Sequence, residues 1–155
     1  MSPLLRRSLA ALLLAAFAVP AKGQNRAVEA SLTLSGHLIW GVAYRHAFEK
    51  GSAVRAGMQV CLPYFKPVGV HIDWLAGSRF NRKNSFYGGV GFNLLVAKDK
   101  GKWKSLPFFK GILGYQRRFR DRDAGYFEIW PAYFPMQGRV APLIGLNFGY
   151  ARKLR

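Results

Sequence analysis

Residues 31–45 read SLTLSGHLIWGVAYR, and the alternation in this stretch decides the fold. Leu32, Leu34, Leu38, Trp40, Val42 and Tyr44 share one parity. Ser31, Thr33, Ser35, His37, Gly41, Ala43 and Arg45 hold the other, with Ile39 the one large apolar exception. Successive side chains of an extended strand point to opposite faces, so one face here is apolar and the other small or polar.

The same rule recurs downstream. After Glu49, Lys50 and Gly51, Val54, Ala56, Met58 and Val60 alternate with Arg55, Gly57, Gln59 and Cys61. Val68, Val70, Ile72, Trp74 and Ala76 then alternate with Gly69, His71, Asp73 and Leu75, and Phe86, Val90, Phe92, Leu94 and Val96 with Tyr87, Gly89, Gly91, Asn93 and Ala97. Two later segments are less regular. Phe109, Leu113 and Tyr115 oppose Lys110 and Gln116, and Phe127, Ile129 and Tyr133 oppose Glu128, but Phe108, Ile112 and Trp130 fall on the polar parity. The last segment sets Ile144, Leu146, Phe148 and Tyr150 against Gly145, Asn147 and Gly149. The links Lys98 to Lys102, Arg120 to Ala124 and Pro135 to Gly138 are turn-like, which predicts an antiparallel meander.

Bulk on the two faces separates the architectures compatible with alternation. A soluble barrel or sandwich turns its large apolar side chains inward, whereas a small membrane barrel turns them to lipid and packs small and polar residues inside. The bulky face here is Leu, Val, Ile, Phe and Trp, and its opposite carries Gly with Arg, His, Asp, Asn and Gln. Most segments approach the roughly 10 residues that a tilted strand needs to cross the hydrocarbon. No apolar run in residues 24–155 nears the roughly 18 residues of a membrane helix. Tyr44, Trp74, Phe86, Trp103, Tyr126, Tyr133 and Tyr150 fall near expected strand ends, where interfacial girdles sit. The sequence therefore predicts an all-β, antiparallel up-and-down transmembrane β-barrel. Seven strands are plain, and closed bacterial barrels use an even number. An eighth arises if residues 25–34 form their own strand, turning at Ser35 and Gly36, or if two later strands are merged.

Arg6 and Arg7 precede an apolar run from Leu9 to Val19, 11 residues long, followed by Pro20, Ala21, Lys22 and Gly23. This is the pattern of a cleavable secretory signal over residues 1–23, with cleavage near Gly23 and Gln24; an uncleaved anchor is the competing reading. Residues 24–155 then form a single barrel domain. Losing Arg6, Arg7 and Lys22 lowers the net charge from +17 to +14. So basic a chain expects anionic partners. Export points to lipid phosphates, those of lipopolysaccharide among them, rather than nucleic acid. Cys61 is the single cysteine, so no internal disulfide staples the fold.

Gly145, Leu146, Asn147, Phe148, Gly149 and Tyr150 resemble the terminal-strand signal of bacterial outer-membrane barrels, which implies recognition by the barrel-assembly machinery. Leu143 replaces the polar residue expected two positions before the glycine, and Ala151 to Arg155 extend past the aromatic end. Across nearly the whole of residues 24–155 the patterning is similar to the short, eight-stranded outer-membrane barrels, including small Bacteroidetes-type proteins. The resemblance implies an outer-membrane location.

Candidate chemistry is sparse. No nucleotide loop, paired-cysteine zinc site or serine elbow appears, and Gly88, Gly89 and Gly91 lack phosphate-cradling spacing, so no cofactor or metal is expected. His71 and Asp73, with His37, share the interior parity and suggest a base and its orienter, but no nucleophile accompanies them. Lipid A deacylases of similar size carry a catalytic His and Ser near the C-terminus, whereas the last histidine here is His71. Arg45, Arg55, His71, Asp73, Lys110 and Glu128 are expected to form an interior charge network. Asp73 and Glu128 are counted as the only acids for three cations, leaving a positive surplus. Arg79, Arg82, Lys83, Arg117, Arg118, Arg120 and Arg122 gather at one barrel end with Arg152, Lys153 and Arg155, where they form either a lipid-phosphate surface or a solvated basic rim. The resulting expectation is a non-enzymatic outer-membrane barrel with a structural, adhesive or lipid-associated surface role. The competing classes are an exported soluble β-barrel that binds a lipid or protein, and a lipid A-modifying enzyme.

Overall fold

The computed structural model describes residues 26–48, 51–62, 68–77, 80, 83–99, 101–136 and 139–154. They form β1 (Arg26–Leu34), β2 (Leu38–Ala47), β3 (Ser52–Leu62), β4 (Val68–Gly77), β5 (Asn84–Asp99), β6 (Lys102–Arg118), β7 (Asp123–Met136) and β8 (Arg139–Lys153). Each strand pairs antiparallel with the next, and β8 returns to β1, closing an eight-stranded up-and-down barrel. The expected leader, Glu49, Lys50, Arg79, Arg82 and Arg155 lie outside the described residues.

The segment that reads as one long strand is a hairpin. Its three-residue link, Ser35 to His37, places Leu34 opposite Leu38, so the apolar parity runs unbroken through the turn and the eighth strand is β1. Gly36 supplies the left-handed φ of 74° that the link requires. His37 accordingly sits exposed in a turn and not in the interior, a correction to its expected placement.

Inside and outside follow the alternation. Ile72, Val90, Phe92, Phe109, Leu113 and Phe148 are exposed on the outer surface. Among the described residues, the buried set holds as many polar or charged side chains as apolar ones. Apolar outside with buried charge inside suits a hydrocarbon surround and not water. A strand of about 10 residues at about 3.3 Å per residue, tilted by roughly 40°, spans the roughly 25 Å apolar band of such barrels. On the termini side the outer band ends in aromatic pairs: Phe48 stacks on Trp74 at 6.1 Å and Phe86 meets Tyr115 at 4.9 Å. Tyr126, expected in this girdle, instead points inward and is buried.

Phe108, Ile112 and Trp130, which break the parity rule chemically, are buried and so obey it geometrically. Ile112 lies opposite Gly89 and Trp130 opposite Gly145 in register, but a Cβ on Gly89 would meet the Trp74 carbonyl and Leu75, and one on Gly145 would meet Ser35 and Thr33. Ala53, Leu75, Phe80, Tyr87, Ile112 and Trp130 form the apolar part of the interior. Among the described residues, β5 and β6 run past their neighbours at the end opposite the termini, with Val96 the last β5 residue paired to β4.

Val90 and Ile72 are 66% and 47% exposed on the outer face. Val90→Arg or Ile72→Arg should therefore cost about 2–4 kcal/mol of folding free energy in a bilayer, if each lies near the midplane. Gly91 faces the opposite way, and a Cβ there would enter the Asp73 carboxylate and lie 2.7 Å from Lys110 Cε, so Gly91→Leu should also impair folding. Urea titration of protein refolded in lipid vesicles measures both; silent arginine variants would mean that inside and outside are reversed.

Candidate functional site: a neutralised lumen and a basic mouth

Strand register brings the interior charges together. Arg45 on β2 lies opposite Arg55 on β3, Arg55 opposite Asp73 on β4, Asp73 opposite Gly91 on β5, and Gly91 opposite Lys110 on β6. Gly91 leaves room for the side chains on either side of it to meet, and Lys110 Nζ approaches Asp73 Oδ1 at 3.2 Å. The adjacent Arg45 and Arg55 would repel each other without an acid between them. Glu29 on β1 supplies it, with Oε1 2.9 Å from Arg45 Nε and Oε2 3.3 Å from Arg55 Nη1.

Arg55 is the hub. Its Nε donates to Asp73 Oδ2 at 2.8 Å, and Nη1 and Nη2 donate to the two oxygens of Glu128 at 2.7 and 3.1 Å. Glu128 also accepts from Tyr87 Oη at 2.7 Å, Trp130 Nε1 at 2.8 Å and Asn147 Nδ2 at 2.8 Å. Thr33 Oγ1 in turn donates to Asn147 Oδ1 at 2.8 Å, tying β1 to β8 at the barrel seam. Two rings beside this centre also use glycines: Tyr87 lies opposite Gly114 and Tyr126 opposite Gly149. Lys110 Nζ sits 3.5 Å from the centroid of the Trp130 ring.

All six residues expected in the interior network, Arg45, Arg55, His71, Asp73, Lys110 and Glu128, are buried. The expected positive surplus is overturned. Glu29 is a third buried acid, so Arg45, Arg55 and Lys110 face Glu29, Asp73 and Glu128 in equal number. Glu29 shares its parity with Ser31 and Thr33, and extending the alternation one strand step toward the N-terminus exposes it.

His71 and Asp73 do not form a catalytic pair geometrically. His71 Nε2 is 3.8 Å from Asp73 Oδ2, beyond hydrogen-bond reach, and both Asp73 oxygens already face cations. No cluster of metal-ligating side chains occurs among the described residues.

The termini end is organised around Phe80. Its ring is buried against Tyr87 at 5.2 Å, with the Arg45 guanidinium carbon 4.9 Å from its centroid. Its carbonyl accepts from Gln116 Nε2 at 3.3 Å and Arg118 Nη2 at 3.1 Å. Alternation could not identify Phe80, which lies in a connection between strands. Of the cations expected at this end, Lys83, Arg117, Arg120 and Arg122 are exposed and Arg118 is half-buried.

Arg55→Met should cost about 3–5 kcal/mol, because Glu29, Asp73 and Glu128 would remain buried without their shared cation. Fluorescence-monitored urea unfolding in vesicles reads the loss; a change below about 1 kcal/mol would deny Arg55 its organising role.

No protein-family model and no curated sequence matches the chain. Solved structures do match its fold. The N-terminal β-barrel domain of Pseudomonas aeruginosa OprF aligns with TM-score 0.60 at 11% identity, over 84% of this chain and 99% of that one. Neisserial surface protein A aligns with TM-score 0.56 at 9% identity, over 83% and 94%. A de novo designed transmembrane β-barrel aligns with TM-score 0.61 at 12% identity, over 86% and 98%. At these identities the likeness establishes architecture: the chain has the fold of small, eight-stranded transmembrane barrels.

Proposed function

We propose that this protein is a non-enzymatic outer-membrane β-barrel, exported by its N-terminal leader, with a structural, adhesive or lipid-associated surface role. One observation carries the reading: the closed barrel is apolar outside, while its interior is filled by a charge-balanced network centred on Arg55. An exported soluble barrel would leave Phe86, Val90 and Phe109 in water, each about two-thirds exposed. The fold likeness to OprF and Neisserial surface protein A favours the membrane reading as well.

The way the interior groups are used supports the non-enzymatic reading. Glu128 and Asp73 are committed to Arg55 and Lys110, and a carboxylate held by several donors is poorly placed to exchange protons with a substrate. The filled lumen also argues against a pore, since eight strands enclose only enough space for their own side chains.

Lipid contact is assigned to the outward cations of the termini end. Arg117 lies on the same face of β6 as Phe109, Leu113 and Tyr115, one step beyond the Phe86–Tyr115 pair, at headgroup height if the aromatics mark the interface. Lys83 and Arg120 lie near it at the same end of the barrel.

Cell fractionation tests the reading directly. The chain should sediment with the outer membrane, resist alkaline extraction and migrate differently on gels before and after boiling. Purified protein in planar bilayers should give no stable single-channel steps. Quantitative recovery in the soluble periplasmic fraction, or reproducible wild-type conductance, would overturn the proposal.

A further inference from the structure

The basic end of the barrel divides into two populations that face different ways. Arg117 and Arg152 follow the outer parity of β6 and β8, whereas Arg118 and Lys153 follow the inner one. The inward set lines a cavity of about 30 Å³ at the mouth, together with Arg26, Arg45 and Arg122, over a floor that includes Phe80. No carboxylate is among the residues that line it.

Arg45 makes this mouth more than a charged rim. The side chain is buried, its Nε is held by Glu29, and its Nη1 has no hydrogen-bond partner among the described residues. A buried guanidinium N–H without an acceptor is costly, and a charged acceptor entering the mouth would relieve that cost. The walls are tied by backbone bonds: Arg118 N–H donates to Lys83 O at 2.8 Å, Lys153 N–H to Arg122 O at 2.8 Å and Leu154 N–H to Arg26 O at 2.8 Å. The backbone that carries these cations is thus held in place, and binding has only their side chains to order.

We infer that this mouth is a phosphate-binding site, in which Arg45 at the base and Arg118, Arg122 and Lys153 at the wall receive a phosphate group presented along the barrel axis. Guanidinium forks match tetrahedral oxyanions, and several can share one. The cavity exceeds the roughly 10–15 Å³ that one water needs, so it admits phosphate oxygens while the rest of the carrier stays outside. The carrier is a soluble phosphate compound or a phosphomonoester lipid headgroup. The inference depends on the barrel's interior side and stands whether or not Arg117 touches lipid.

The test uses the full mature chain refolded in zwitterionic, phosphate-free detergent and titrated calorimetrically with inorganic phosphate against sodium chloride of equal ionic strength. Saturable binding of about one phosphate per chain is expected, at least about tenfold weaker in Arg122→Gln/Lys153→Gln and unchanged in Lys102→Gln/Lys104→Gln at the opposite end. A second readout needs no variant: in wild-type protein labelled with ¹⁵N-arginine, the Arg45 side-chain resonances should shift along the same isotherm. Heat indistinguishable from sodium chloride, equal weakening in both double variants, or an unmoved Arg45 signal would each overturn the site. Repeating the titration in phosphatidylcholine discs with and without phosphatidic acid identifies the carrier. Competition by phosphatidic acid assigns the site to a headgroup, and undiminished binding assigns it to a solute; both outcomes require the site.

Discussion

Arg55 links four strands at the middle of a space too small to hold much water. From β3 its guanidinium reaches Asp73 on the adjacent β4, and Glu29 on β1 and Glu128 on β7, so two of its contacts leave the neighbouring strands and reach through the lumen. Burying an ion pair is not inherently stabilising, because desolvation of each charge offsets the attraction. What the arrangement secures is register. A one-residue slip of β3 would turn Arg55 to the apolar outside and Val54 or Ala56 to the acids, so slipped pairings are excluded by charge as well as by hydrophobicity. The acids themselves are held by the barrel's remaining polar side chains, with Glu128 bonded to Tyr87, Trp130 and Asn147.

Filling such an interior is a volume problem as much as an electrostatic one. Gly91 lets Asp73 and Lys110 meet, Gly114 makes room for Tyr87, and Gly149 for Tyr126. In each case a β-carbon on the glycine would collide with the side chain it faces. Glycines that look like a loss of strand propensity in the sequence are therefore places where a neighbour's bulk or charge is accommodated. Ile112 and Trp130 sit inside for a different reason, since they pack with Ala53, Leu75, Phe80 and Tyr87 into one apolar patch of the lumen.

The fold was legible because alternation is local, and the strand count was ambiguous for the same reason. A link of Ser35, Gly36 and His37 leaves Leu34 facing Leu38, so parity alone cannot distinguish a hairpin from a continuous strand. The charged interior was legible as a set of residues, since parity assigns Arg45, Arg55, Asp73, Lys110 and Glu128 to one face. Its neutrality was not, because the balancing Glu29 lies on the strand hidden by that ambiguity. Phe80 was illegible for a different reason: its position depends on a connection folding back over the lumen, where no periodicity operates.

Function is less legible than fold because the architecture is indifferent to it. A designed barrel and two natural ones align with this chain at similar TM-scores, so the shared features are those needed to fold in a bilayer. What is particular to this chain is its distribution of cations, and strand geometry sorts them. Consecutive residues on β6 send Arg117 outward and Arg118 inward, and on β8 Arg152 points outward and Lys153 inward. The outward members have partners or neighbours at the aromatic band, as Arg152 does in Asp123 at 3.8 Å. The inward members converge on a mouth whose deepest cation, Arg45, has one acid for its Nε and no acceptor for its Nη1 among the described residues. A sequence scan sees one basic cluster here. The alternation that separates lipid from lumen makes it two surfaces, and only the inner one has a buried group whose hydrogen bonding is incomplete.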